Sequence, residues 1–276
     1  MTDDRMTETT AFYTTRRDGV LQLHREGMEW LSSGANGGRW TTDNAYNLSV
    51  PDGWPRTDLE TYVADRLERA GFEERGPALL TGVDVADARG ARCGSVAAVV
   101  TAGISNPAAL PMDPSGGTLP QEERGDKGDD EPVGTVNILL GTTRSLSAGA
   151  LANLLTVAAE AKAATLLETT GFPGTTSDAV IVGHDPAGSQ TEFSGTATAI
   201  GSAARACVRD GLRASLCAHY DGSGFEDSAV VGDRADGKTA DAAATENGTA
   251  VGLPNSLEDA KYGISTDVKA DVFSPN

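Results

Sequence analysis

Apolar residues along the chain fall into two rhythms. Short runs of aliphatic and β-branched residues mark strands at Val20–His24 and at residues 28–31, 44–50, 79–85, 95–101, 133–142 and 178–183. Between them, apolar positions three or four apart mark helices. Thr57 or Asp58 can cap a helix that carries Leu59, Val63, Leu67 and Ala70 on one face and stops at Gly71. Ser145 or Ser147 can cap a longer one over residues 147–169, with Leu151, Leu154, Leu155, Ala158, Ala161 and Thr165 toward a core and Gly171 past its end. A third, over residues 198–219, presents Ile200, Ala203, Ala204, Cys207, Val208 and Leu212, with Gly211 as a weak point. This succession predicts an α/β fold of mixed or mostly antiparallel sheet layers, with the two long helices packed on the sheet. Strand order is not legible.

The pattern fails in three places. Residues 1–17 are polar and are expected to be a flexible N-terminus. Residues 111–132 combine Pro, Gly and acidic residues and read as a solvated insertion. After Tyr220 the chain turns to Asp, Gly, Ala and Thr, so residues 221–276 read as a linker and C-terminal segment, with a last strand at 262–273 returning to the domain. The folded unit is therefore expected at 18–220.

Composition narrows the function classes. The 276 residues are 39% hydrophobic, enough for a core, yet 40 acidic residues face 22 basic ones for a net charge of −18, and Arg outnumbers Lys 17 to 5. Such a surface repels nucleic acid. It suits a halophilic protein, since charges are screened within about 3 Å at 1 M salt. No stretch approaches the ~20 apolar residues of a membrane span, and the N-terminus lacks a signal-peptide layout. A cytoplasmic location is expected. Cys93, Cys207 and Cys217 have no CxxC spacing and read as small core residues in a reducing compartment. His24, His184 and His219 have no ligand-like spacing, so no metal site is expected. Neither a GxSxG elbow nor a GxxxxGK[ST] loop occurs, and no Ser-His-Asp trio is singled out.

What remains is a set of small polar loops: LSSGANGG (residues 31–38), TAGISNP (101–107), GTVN (134–137) and GTTSD (174–178). Taken alone, each is a turn, with Gly supplying positive φ and Asn or Ser bonding its own backbone. Four of them at strand ends, where α/β proteins build sites, point to a shared site. The long helix adds Asn153, Thr156 and Glu160 on one face, with Lys162 two residues on and directed elsewhere. The plainer reading of Glu160 and Lys162 is a solvated helix edge.

The order LSSGANGG, TAGISNP, GTVN, TVAAEAKAATL, GTTSDAVIV resembles the adenosylcobinamide amidohydrolase family of archaea and bacteria, from about Gly19 to Tyr220. The positions that carry the match are Ser32, Ser33, Asn36, Gly37, Gly38, Thr101, Gly103, Asn106, Gly134, Thr135, Asn137, Glu160, Lys162, Gly174, Thr175, Ser177 and Asp178. Pro107 stands where a small residue is expected and Ser177 where Thr is usual. The resemblance implies an archaeal enzyme whose catalytic domain is 18–220. It implies hydrolysis of the amide joining a corrin side chain to aminopropanol, giving adenosylcobyric acid and 1-amino-2-propanol.

On that implication the substrate is a corrinoid, cobalt enters with it, and the protein has no cofactor of its own. Ser32, Ser33, Asn36, Gly37, Gly38, Thr101, Asn106, Thr135, Asn137, Thr175 and Ser177 are expected to bind it. Asp178 or Glu160 would activate water, Asn36, Asn106 or Asn137 would hold the oxyanion, and Lys162 would protonate the leaving amine or steady the carboxylate. A covalent route through Ser33, Thr101, Thr135 or Thr175 stays open. So does a non-catalytic corrinoid-binding or delivery protein, which would not need Asp178, Glu160 or Lys162. Whether copies of the chain form a homo-oligomer is open.

Overall fold

The computed structural model describes residues 10–51, 58–119, 134–220 and 263–276. The first half supplies strands β1 (Tyr13–Arg17), β2 (Val20–His24), β3 (Glu29–Ser32), β4 (Gly38–Thr41) and β5 (Asn44–Ser49), helix α1 (Leu59–Arg69), then β6 (Ala78–Thr81), β7 (Arg89–Cys93) and β8 (Val96–Ala102). The second half supplies β9 (Val136–Thr142), β10 (Ser145–Leu146), α2 (Ala148–Thr170), β11 (Ala179–His184), β12 (Gln190–Thr191), α3 (Ala199–His219) and β13 (Asp271–Phe273).

Two sheets stack face to face. One has the order β1-β2-β5-β6 and the other β13-β7-β8-β9-β11-β3-β4, while β10 and β12 form a small parallel pair. Within the two large sheets only β5–β6 and β9–β11 run parallel. Alternation along the central strands fills both faces of the larger sheet. Ala98, Val100, Ile138, Leu140, Val180 and Val182 pack with α2 and α3. Ala97, Val99, Leu139 and Ile181 meet Leu21, Leu23, Ala45 and Leu79 of the smaller sheet. On the far side of that sheet Val20, Tyr46 and Leu48 are covered by Leu67 of α1, together with Ala70 and Phe72 just past its end. The architecture is thus mostly antiparallel α/β, with both long helices on one sheet as the sequence predicts and a third, shorter helix on the other side.

Local chemistry explains the helix ends. Asp58, Ser147 and Thr198 each cap a helix by accepting backbone N–H bonds. Gly171 ends α2 in the left-handed conformation at φ 80°. Gly211 does not interrupt α3, which runs unbroken through it. It lets the helix lie close on β8, where a Cβ would come 3.3 Å from Val100 Cγ2.

Four expectations need correction. The flexible N-terminus does not extend to residue 17: Phe12 is buried and residues 13–17 form β1 on the edge of the smaller sheet. Alternation is weak in β4 and β7 (GRWT and RGARC), which the apolar pattern did not reveal as strands. The returning C-terminal strand is confined to Asp271–Phe273, paired with β7, with Phe273 against Gly90 and Arg92. Finally, α2 is long and apolar enough to cross a membrane by length and composition, but Leu151, Leu154, Ala158 and Leu166 are buried in the core. Residues 111–119 of the expected insertion are exposed and without regular structure. Its remainder, 120–132, and residues 221–262 of the expected linker lie outside the described residues.

Candidate active site

Strand direction brings the four polar loops to one edge. The end of β8, the starts of β9 and β11, and the end of β3 are neighbours in register, since Thr101 pairs with Asn137, Asn137 with Ala179, and Ile181 with Ser32. The loops then bond to one another. Gly103 donates its N–H to Thr135 O, Ala108 to Gly174 O, and Thr176 to Asn106 O. Asn106 Nδ2 donates to Thr176 Oγ1 at 2.7 Å. Gly134 is required by contact: a Cβ there would sit 2.5 Å from Ser105 N and 2.6 Å from Asn106 Oδ1.

Asp178 is the knot of this cluster. Its Oδ1 accepts from Val136 N–H at 2.9 Å and from Thr175 Oγ1, and its Oδ2 accepts from Thr175 N–H at 3.0 Å and from Lys162 Nζ. The pair is nearly enclosed, with side chains 10% and 13% exposed. Those four bonds fill the roughly four lone-pair positions of a carboxylate. No lone pair is left over for a water. Lys162 turns toward this loop. Glu160, two residues earlier and so on another helix face, is exposed with no hydrogen-bond or ion-pair partner among the described residues. The structure therefore brings Asp178 and Lys162 together and leaves Glu160 apart.

The other sequence candidates divide into outward and inward sets. Thr135 Oγ1 and Ser177 Oγ lie 3.0 Å apart, with Ser177 exposed and also donating to Gly134 O. Ser33 ties the first loop to β11, its Oγ accepting from Val180 N–H and donating to Val180 O. Ser32 Oγ accepts from Gly34 N–H. Asn36, Gly37 and Gly38 form the exposed turn, with Asn36 at φ 53° and Gly38 at φ 96°. Asn36 also borders a cavity of about 250 Å³ lined by Trp40, Val63, Leu67, Arg75 and Leu80. Thr175 is buried and serves Asp178.

Thr101 and Asn137 correct an expectation. Both are 0% exposed and lie between the sheets, where Asn47 Nδ2 donates to Thr101 Oγ1 and Asn137 Nδ2 donates to Asn47 Oδ1 and Leu80 O. They brace the two sheets at the site edge rather than reach a ligand. Asn106 Oδ1 and Asn137 Oδ1 are buried acceptors without a partner among the described residues.

Sequence reasoning missed one pair at the same edge. His219, at the last turn of α3, bonds through Nδ1 to Asp87 Oδ2 at 2.9 Å, and the next residue, Tyr220, accepts Ile104 N–H at its hydroxyl. The separation of 132 positions along the chain hides the pairing from any spacing argument. Burial lowers the pKa of His184, whose Nδ1 accepts from Leu146 N–H. Burial raises that of Cys207, and none of the three cysteines is in a disulfide. Among the described residues no group of three or more His, Cys, Asp or Glu could hold a metal ion.

Hydroxyls, amide donors and an enclosed ammonium–carboxylate pair at converging strand ends suit the polarisation and cleavage of an amide. A family model described as adenosylcobinamide amidohydrolase matches residues 3–224, and the chain belongs to that family. The adenosylcobinamide amidohydrolase of Halobacterium salinarum is 50% identical over 266 residues, covering 96% of this chain and 100% of its own length. That of Methanosarcina mazei is 28% identical over 199 residues, covering 68% and 90%. No solved structure matches.

Proposed function

We propose that the enzyme hydrolyses the amide between the corrin side chain of adenosylcobinamide and aminopropanol, releasing adenosylcobyric acid and 1-amino-2-propanol for corrinoid salvage. One observation carries this reading: a relative bearing that activity in its name aligns along its entire length at 50% identity. The acidic surface and the Halobacterium relative support a cytoplasmic enzyme of a halophilic archaeon. Cobalt arrives inside the substrate, and the protein supplies no cofactor.

A corrinoid is a wide apolar disc fringed with primary amides. Ser177, Asn36 and the peptide groups of the clustered loops offer donors and acceptors to such a fringe, and the cavity beside Asn36 is sized for a substituent rather than the disc. Asp178 acts as the organiser. It holds Lys162, β9 and the 174–178 loop in one geometry, so that the exposed Ser177 hydroxyl, backed by buried Thr135, is presented to the scissile amide. A preorganised donor at the oxyanion is worth about 2.7–4 kcal/mol.

Incubating the protein with adenosylcobinamide in high-salt buffer and assaying free 1-amino-2-propanol tests the reading. Release at multiple turnovers is expected. Tight corrinoid binding without release would support a binding or delivery protein instead.

A further inference from the structure

We infer that His219, oriented by Asp87, is the proton-transfer residue of the amide hydrolysis, an assignment that rests on the reaction proposed above. The need for such a group follows from Asp178, whose lone pairs are occupied by four donors. Amide hydrolysis has to take a proton from the attacking oxygen and give one to the departing amine.

The dyad is built for that exchange. An ionised carboxylate only accepts hydrogen bonds, so the 2.9 Å contact with Asp87 Oδ2 places the proton of a neutral imidazole on Nδ1. Nε2 then carries the lone pair. Asp87 is fixed twice over: it ends a short 3₁₀ turn, Val85–Asp87, capped by Asp84, and its carbonyl accepts from Ser215 Oγ of α3. Ser215 Oγ also accepts from Ala102 N–H, which locks α3 to the end of β8. The ring packs edge-on against Tyr220 with centroids 4.7 Å apart, and the Tyr220 hydroxyl grips Ile104.

Nε2 faces the TAGISNP loop. A Cβ on Gly103 would come within 3.4 Å of Nε2 and 2.7 Å of Val83 Cγ2, so the bare backbone lies against the imidazole edge. Gly103 N–H in turn bonds Thr135 O, and Thr135 meets Ser177. The dyad therefore sits one loop away from the hydroxyl pair. It is partly open, with side chains 30% and 27% exposed.

In the step we assign, Nε2 takes a proton from water as the water oxygen bonds to the amide carbon. The same proton passes to the nitrogen as the C–N bond breaks. One water is consumed, and a carboxylic acid and an amine are formed. Asp87 is a positioning residue acting through the imidazole.

The test uses the full-length protein and aminopropanol release. His219→Ala should lower kcat by about 10²- to 10⁴-fold, the usual contribution of a positioned acid–base group, with KM little changed, and added imidazole should restore part of the rate. Asp87→Asn should lower kcat in the same direction. If His219→Ala does not fold, His219→Gln and Asp87→Asn carry the measurement. Wild-type kcat in the folded His219 variant overturns the assignment, as does a loss that imidazole does not relieve and that matches a loss of folded protein. A wild-type enzyme that releases no aminopropanol instead overturns the reaction itself.

Discussion

Replacing Asp178 with Ala should be among the most damaging single changes at the site edge, and the structure sets its size. The substitution strands Val136 N–H, Thr175 N–H and the Lys162 ammonium together, in a place where the pair is 10% and 13% exposed. Removing one partner of a buried ion pair costs about 3–5 kcal/mol, because a charge is left uncompensated. Salt does little to relieve it, since enclosed pairs are poorly screened. For a protein of this size each kcal/mol lowers Tm by about 2–4 °C, which predicts a drop of roughly 6–20 °C. Thermal and urea unfolding in high-salt buffer would measure it. Adding Lys162→Met to the variant removes the stranded charge, so the double change should cost less than the sum of the singles. A loss below about 1 kcal/mol, the scale of an exposed pair, would refute the reasoning. Strict additivity would also refute it.

Three further outcomes follow from the same geometry. Gly134→Ala pushes a Cβ against Ser105 N and Asn106 N, which belong to backbone and cannot rotate away; a cost of about 1–3 kcal/mol and slower turnover are expected, checked by denaturation and product assay. The folded-state pKa of His184 lies below its ordinary 6.5 because of burial, so the unfolded chain takes up the proton first and the stability present above that pH falls as pH drops toward the folded value. Between about pH 7 and about pH 5, wild-type Tm should therefore decline more steeply than that of His184→Asn, which keeps an acceptor for Leu146 N–H. Raising KCl from about 0.1 M to about 1 M shortens the screening length from about 10 Å to about 3 Å, so Tm should climb for a chain of net charge −18; a flat or falling Tm in calorimetry would count against salt adaptation.

How much of this was legible in the chain depends on whether the signal was local. Caps at Ser147 and Thr198 and the stop at Gly171 are local, and the helices they bound could be read directly. The four loops were visible as Gly-bearing polar breaks, and strand direction alone gathers them at one edge. What failed was anything that depends on the opposite face. Thr101 and Asn137 alternate correctly along β8 and β9, but both faces of those strands are apolar, so period alone does not say that their side is roofed by a second sheet. Lys162 could be separated from Glu160 by helix phase. That the 174–178 loop folds back onto it could not be read, because a turn's path is not written in its composition. The His219–Asp87 pair joins a helix end to a 3₁₀ turn across nearly half of the chain, and only the fold reveals it.

The central claim is that this protein cuts an amide of a corrinoid with water, and running the reaction in heavy-oxygen water tests it most directly. The account predicts that the corrinoid product gains one heavy oxygen, in its new carboxylate, and that one 1-amino-2-propanol is released for each label incorporated. A corrinoid recovered intact and unlabelled, with no amino alcohol released, would contradict it.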